Sequence, residues 1–206
     1  MADEPGKVAA VLLAGGRASR LGGADKPGIT IKGRSLLAVV AEAAAHAGAS
    51  RVVVVGPARP GLGGIPAEFT SEQPPGAGPV PALRAGLARV TEPWLLLLAA
   101  DLPFLTGPHL RTLRAAAQDA DAGALLTDGD GRPQWLVSCW RTGRLRSALA
   151  RYGGASLGGL LGPLRPAQVT VRHEPGEPPP WLDCDTSEDL AAAIALAGQA
   201  RKEGTR

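Results

Sequence analysis

The sequence predicts an α/β protein, a single domain built on a mostly parallel open sheet with helices on both faces. Three observations predict it. Short apolar runs rich in Val and Leu, the pattern of strands covered on both sides, alternate with stretches of helical period. Gly and Pro cluster between these runs, where the chain must turn. The 206 residues, 45% of them hydrophobic, suffice for one sizeable core, a simpler reading than two small ones. The domain is expected over residues 1–198, with residues 199–206 as a disordered tail.

Val8–Leu13 is a continuous apolar run and the first buried strand. Ser35 can cap a helix through about Ala47, which Gly48 stops. Arg51–Val55, an unbroken valine run, is the second strand, and Gly56–Pro66 is a loop. Apolar residues at 80, 83, 87 and 90 mark a helix over Val80–Val90. Trp94–Ala99 is the third buried strand, and Thr106 can cap a helix over Pro108–Ala120 with Pro in its first turn. Ala122–Thr127 and Trp135–Trp140 are strands flanking the turn Asp128-Gly129-Asp130-Gly131, a hairpin or the antiparallel edge of a mixed sheet. Arg144–Tyr152 and Leu157–Leu161 read as helices, Ala167–His173 as the last strand and Pro175–Pro180 as a rigid loop. Thr186-Ser187-Glu188-Asp189 opens a final helix with the spacing of a capping box, Asp standing in for Glu. No internal repeat is visible.

The net charge of +3 comes from an Arg-rich basic set, with Lys only at 7, 26, 32 and 202. This suits a cleft for anionic small molecules and is too weak and scattered for a nucleic-acid surface. At 3% aromatic, the chain also has no ladder of stacking platforms for single strands. Cys139 and Cys184 lie far apart without a C-x-x-C and read as reduced thiols; His46, His109 and His173 have no metal-ligand spacing. Asp3 and Glu4 before a short apolar strand do not suit a signal peptide. The longest apolar run, Trp94–Ala100, falls well short of the roughly 20 residues of a membrane helix. The expectation is a cytoplasmic protein with no membrane or nucleic-acid partner.

The most informative stretch follows the first strand. Val11 to Lys26 carries the glycine pairs Gly15-Gly16 and Gly22-Gly23, with Arg17 and Arg20 between them and Lys26 at its close. Glycine allows close backbone approach, successive N–H groups can line an anion pocket, and Arg and Lys add positive charge. One such cation at about 4 Å is worth roughly 4 kcal/mol against a phosphate at an effective dielectric near 20. The plain alternative is a turn that only reverses the chain. The loop has neither the Walker A spacing nor the G-x-G-x-x-G of a dinucleotide fold.

Ligands of open α/β sheets bind beyond the carboxyl ends of strands. Asp101, in Ala100-Asp101-Leu102-Pro103-Phe104 after the third strand, is therefore placed either to hold Mg²⁺ or merely to cap the turn. The stiff loop Pro74 to Pro81 feeds a helix whose first backbone donors can take a base edge or a phosphate, or it is a plain loop. In Asp183-Cys184-Asp185-Thr186, the two acids can join Asp101 around a metal, or one is only a cap.

Leu13-Ala14-Gly15-Gly16-Arg17-Ala18-Ser19-Arg20-Leu21-Gly22, closed by Asp25-Lys26, resembles the opening motif of the molybdenum cofactor guanylyltransferases, part of the wider nucleotidyltransferase group with its Rossmann-like fold. Residues 100–104 resemble that family's metal-binding acidic motif, and Gly78-Pro79-Val80 its Gly-Pro-Leu loop. Gln134 and the strand behind it are similar to its Gln/His-Pro strand, and Asp183 to Leu190 to its closing Asn-x-Asn-Thr-Pro-Glu-Glu-Leu. The match runs in order over nearly the whole chain.

The resemblance implies that a molybdopterin phosphate attacks the α-phosphorus of GTP, forming the guanine dinucleotide and releasing diphosphate. It implies a nucleotide site of Leu13, Ala14, Gly15, Gly16, Lys26, Glu72, Gly78 and Asp101, with Arg20, Lys26 and Asp101 catalytic. Asp101, with Asp183 or Asp185, would bind Mg²⁺, and Gln134, Asp183 and Asp185 would face the acceptor. Docking to molybdoenzymes or to other proteins of cofactor biosynthesis is a further implication.

The chain departs from the pattern in four places. Asp183 and Asp185 replace the family's asparagines, as in cytidylyltransferase relatives; the family acid before the Gly-Pro loop aligns with Gln73, with Glu72 beside it; Pro81-Ala82 replaces Ala-Gly; and Trp135 replaces Pro. Gly15-Gly16 supports the guanylyl branch, since cytidylyl relatives usually read Ala-Ala-Gly. The alternatives are cytidylyl transfer to molybdopterin, transfer to another small phosphorylated acceptor, and a nucleotide-binding protein without the chemistry.

Overall fold

A computed structural model of the chain describes residues 6–15, 26–31, 33–59, 62–171, 177–184, 189–191 and 193–196, Lys26 by its backbone alone. The first apolar run forms β1 (Val8–Leu13), with β4 (Ala49–Val55) and β6 (Trp94–Ala99) parallel on its two sides. Beyond β4 lies β5 (Glu68–Thr70), also parallel. On the other side come β8 (Pro133–Arg141), β7 (Gly123–Thr127) and β9 (Ala167–Thr170), giving the order β5-β4-β1-β6-β8-β7-β9. Strand β8 is antiparallel to both β6 and β7, whereas β9 is parallel to β7. A small ribbon of β2 (Thr30–Ile31) and β3 (Arg34–Ser35) stands apart from this sheet.

Period-two alternation in the central strands explains both layers. Val8, Ala10 and Leu12 of β1, with Val54, Leu96 and Leu98, meet α1 (Leu36–His46) and α3 (Gly107–Gln118) on one face. Ala9 and Val11, with Val53, Val55, Leu95 and Leu97, meet α2 (Pro79–Leu87), α4 (Thr142–Arg151) and α5 (Leu157–Leu161) on the other. Each fully buried leucine contributes about 1.5–3 kcal/mol over an exposed one, so β6 alone anchors the sheet strongly. Helix α2 lies close: a Cβ on Gly86 would sit 2.5 Å from Val11 Cγ1 and 2.9 Å from Val55 Cγ2.

The expected caps form. Ser35 Oγ accepts the Ala38 N–H at 3.1 Å, and Thr106 with His109 makes a capping box at the start of α3. Three expectations change. The hairpin is not an edge, because β8 inserts between β6 and β7 and β9 adds outside β7. The last strand stops at Thr170, where its partner β7 ends at Thr127 and the ladder runs out. Helix α2 ends at Leu87 rather than Val90, with Arg89 and Val90 N–H turning back to the carbonyls of Gly86 and Leu87. Strand β5 has no counterpart in the sequence pattern, because its three half-buried residues form no apolar run. Residues 189–191 and 193–196 are helical; the capping residues Thr186, Ser187 and Glu188, His173 and the expected tail lie outside the described residues.

Candidate active site at the ends of three parallel strands

Leu13 pairs with Val55 on one side and with Ala99 on the other, so β4, β1 and β6 end level. The ladder continues one step further: Ala14 N–H donates to Val55 O at 2.8 Å and Ala100 N–H to Leu13 O at 3.2 Å. Gly15, Gly56 and Asp101 thus leave the sheet together at the point where strand order reverses, the crevice that ligands use in such folds.

Gly56 lets this rim close. Its φ is +154°, and a Cβ there would lie 2.9 Å from the carbonyl carbon and oxygen of Ala14 and 3.2 Å from Gly15 N. Two residues beyond β5, Glu72 is 5% exposed and presses its carboxylate toward Gly15: Oε1 and Oε2 lie 3.6 and 3.7 Å from where a Gly15 Cβ would be. Oε1 accepts the Gly76 N–H at 2.8 Å, which pins the carboxylate beside Gly15. Gln73, the residue aligned with the family acid, is exposed. The buried acid at this rim is Glu72.

Gly78 precedes α2 at φ 106° with open space around its Cβ position. The helix start offers few donors. Pro79 and Pro81 have no N–H, and Ala82 N–H is engaged with Gly78 O at 3.1 Å, which leaves Val80. The donors that this helix start can offer a base edge or a phosphate are therefore reduced to one, the Val80 N–H.

Antiparallel β8 brings its first residues beside the end of β6, with Val137 opposite Leu98. The β7–β8 register jumps there from Ser138 to Gln134, with Trp135, Leu136 and Val137 bulged between, and Ser138 Oγ donates to Trp135 O at 2.7 Å. Bulges beside a site re-aim side chains. This one helps line a cleft of about 250 Å³ whose walls include Ala99, Leu102, Gln134, Trp135, Leu157, Trp181 and Asp183. Gln134 and Asp183, expected from separate motifs, thus share one cleft, and half-buried Asp101 lies along the chain between its wall residues Ala99 and Leu102. Trp181 is a wall of this cleft that the sequence motifs do not single out; its place two residues before Asp183 is the available signal.

Gly16, Arg20 and Asp185 lie outside the described residues, as does the Lys26 side chain; Lys26 opens the short 3-10 turn Lys26–Gly28. Among the described residues no three His, Cys, Asp or Glu side chains gather as a metal site. Both cysteines are buried, and burial pushes the Cys139 thiol up to about 12, so it stays protonated and unreactive. No described helix is long and apolar enough to cross a membrane.

Level strand ends, the Gly15 backbone and a facing carboxylate form the rim of an open α/β sheet, and solved structures of nucleotidyltransferases share the fold. A nucleotidyl transferase from Methanothermobacter thermautotroptrophicus superposes with a TM-score of 0.72 at 18% identity over 94% of this chain and 99% of that one. Molybdopterin-guanine dinucleotide biosynthesis protein A from Archaeoglobus fulgidus gives 0.71 at 21% identity over 92% and 98%. Residues 10–178 match the model of the MobA-like NTP transferase domain, and the chain belongs to that family. Among its relatives are proteins named molybdenum cofactor guanylyltransferase. That of Rhodopseudomonas palustris strain HaA2 is 30% identical over 96% of this chain and 95% of its own, and that of Bradyrhizobium sp. strain ORS 278 is 32% identical over 92% and 93%.

Proposed function

We propose that this protein transfers GMP from GTP to the phosphate of molybdenum-loaded molybdopterin, releasing diphosphate and forming the guanine dinucleotide cofactor. Relatives that carry this activity in their names align over almost the entire chain. The observation that carries the choice of base is the buried Glu72 carboxylate held against Gly15. Guanine offers two adjacent N–H donors on one edge, which two carboxylate oxygens can accept together, whereas cytosine offers one amino group beside acceptors.

In this reading the backbone of Leu13, Ala14 and Gly15 receives guanine and ribose, with Gly16 and Gly78 lining the same pocket. Arg20 and Lys26 hold the triphosphate and neutralise the departing diphosphate. Asp101 suits Mg²⁺: it is a half-buried carboxylate two residues past the end of β6, and this ion is usually held by one or two carboxylates plus substrate oxygens. Asp183 or Asp185 would be a second carboxylate. When bound, the ion supplies charge neutralisation on the reacting phosphates. No side-chain nucleophile is needed, because the acceptor phosphate attacks directly, and the protein contributes position and field.

Purified protein, Mg²⁺ and molybdenum-loaded molybdopterin should release diphosphate with GTP and at least about tenfold less with CTP, the loss expected for about 1.4 kcal/mol of base contact. Asp101→Ala and Lys26→Ala should each lower kcat by roughly a hundredfold or more. Equal or faster turnover with CTP would transfer the reading to the cytidylyl branch, which the acids at 183 and 185 favour. Undiminished turnover in either variant would remove that residue from the catalytic set.

A further inference from the structure

A groove that the transfer reaction does not use lies between α2 and α4. The two helices run antiparallel and clasp each other through arginines. Arg84 of α2 donates through Nη2 to Leu149 O at 3.1 Å, and Arg146 of α4 donates through Nη2 to Leu87 O at 3.1 Å and to Val90 O. The clasp is reciprocal because both helices carry one spacing, Arg84-x-x-Leu87-Ala88 and Arg146-x-x-Leu149-Ala150. Those six residues line a groove of about 240 Å³. The two leucines are buried, whereas Ala88, Ala150 and both arginines are exposed. Helices α2 and α4 carry Arg84, Arg144, Arg146 and Arg151 and no acid. Among the described residues only Arg144 of these four meets a carboxylate, that of Asp121.

We propose that this groove docks an acidic, amphipathic helix of a partner protein. The clasps engage only Nη2 of each guanidinium, which leaves Nε and Nη1 to a carboxylate. Along α2 the two charges stand beside residues 84 and 87–90, three to six residues apart, or roughly 4.5–9 Å of helix rise. Side chains at i and i+4 of a partner helix are about 5–6 Å apart, a span that two carboxylates match better than one small anion. The groove is also below the roughly 300–1,000 Å³ of small-molecule sites, and it suits an apolar side chain set between those carboxylates. A second copy is a poor occupant, since an isologous contact would set arginines against arginines. With its leucines already buried the groove offers little apolar surface, so charge sets the specificity and docking weakens with salt.

The test uses the full chain and a fluorescein-labelled, alanine-based peptide of about 16 residues, long enough to be helical. It carries a leucine between glutamates at i and i+4. Fluorescence anisotropy should show saturable binding, with a Kd at least about tenfold below that of the same peptide with glutamine for glutamate. The Kd should rise as salt increases from about 50 to 300 mM. Arg84→Gln combined with Arg146→Gln should weaken binding at least about tenfold. Because that pair also removes the clasps, Ala88→Glu with Ala150→Glu provides the second arm. It sets the chain's own carboxylates beside the arginines at exposed positions, with a residue that favours helix. Binding should fall by the same factor at unchanged Tm. Arg144→Gln makes the same charge change on α4 outside the groove and should bind within about threefold of wild type. No saturable binding by wild type, equal binding of the glutamine peptide, or full binding by the Ala88→Glu, Ala150→Glu pair overturns the proposal. An equal loss in Arg144→Gln also overturns it, by reducing the attraction to net charge. Self-association of the wild type in analytical ultracentrifugation, lost in the Ala88→Glu, Ala150→Glu pair, would give the groove to a second copy instead.

Discussion

At Glu72 the structure decides between two neighbours that the sequence left in play, since the expected nucleotide site names Glu72 while the family acid aligns with Gln73. Alignment of the Gly-Pro loop points at Gln73, yet a one-residue difference in phase decides which side chain turns inward, and only the neighbouring strand β5 sets that phase. The Glu72→Gln variant keeps the shape and one acceptor but places a donor against guanine. It should raise the KM for GTP by roughly 10–100-fold, as for loss of a charge-assisted hydrogen bond, with little change in Tm; steady-state kinetics against both substrates would check it. The glycines of the opening loop read as a candidate phosphate cradle from residue type alone, and residues 16–25 of that loop lie outside the described residues. Asp101 is legible too, because a carboxylate just past a buried strand has a predictable place at the sheet's edge. Asp128 reads in the sequence only as a turn residue, since nothing in Asp-Gly-Asp-Gly reveals that its second oxygen holds an amide six residues on.

Among the elements, α2 and α3 make separable predictions. Gly86 brings α2 onto β1 and β4, and Gly86→Ala would press a methyl group into Val11 and Val55. Overpacking of this kind costs about 1–3 kcal/mol, outweighing the helix propensity that Ala gains over Gly, up to about 1 kcal/mol; urea denaturation should show a lower midpoint at unchanged slope. In the α3 cap, the Thr106 N–H donates to His109 Nδ1 at 3.3 Å, which requires the neutral ring. Burial holds His109 below its ordinary value, against the opposing pull of Glu177. In the unfolded chain the ring takes up its proton near pH 6.5. Its contribution to stability is therefore complete above about pH 6.5 and is lost as pH falls from there toward the folded value. Thermal melts at pH 7.5 and 5.5 should show a smaller acid-induced drop in Tm for His109→Gln than for wild type. Long apolar runs and caps are readable because their signals are local. The short β5 and the β2–β3 ribbon are not, because their few residues become strands only through the partners they meet.

For the whole molecule, two cores on opposite faces of one sheet tie the rim around Gly15 and the cleft lined by Gln134 and Asp183 to a common frame. A ligand that binds only the folded state stabilises it by mass action. GTP with Mg²⁺ at about 100 times its Kd should add about 2.7 kcal/mol, a Tm increase of roughly 5–10 °C for a domain of this size. CTP at the same concentration, bound about tenfold more weakly, should add no more than about 1.4 kcal/mol and raise the Tm by roughly 3–6 °C at most, and differential scanning calorimetry would read both. By itself the sequence determined the α/β class, the buried strands, the glycine-rich cationic loop and the acid beyond the third strand, because apolar period and residue chemistry act over a few neighbouring residues. Only the tertiary structure decided that Glu72 rather than Gln73 lies buried beside Gly15, that β8 lies inside the sheet, and that Gln134, Trp135, Trp181 and Asp183 share one cleft. Those outcomes depend on strand order, register and a bulge, which arise from pairing between segments far apart in the chain.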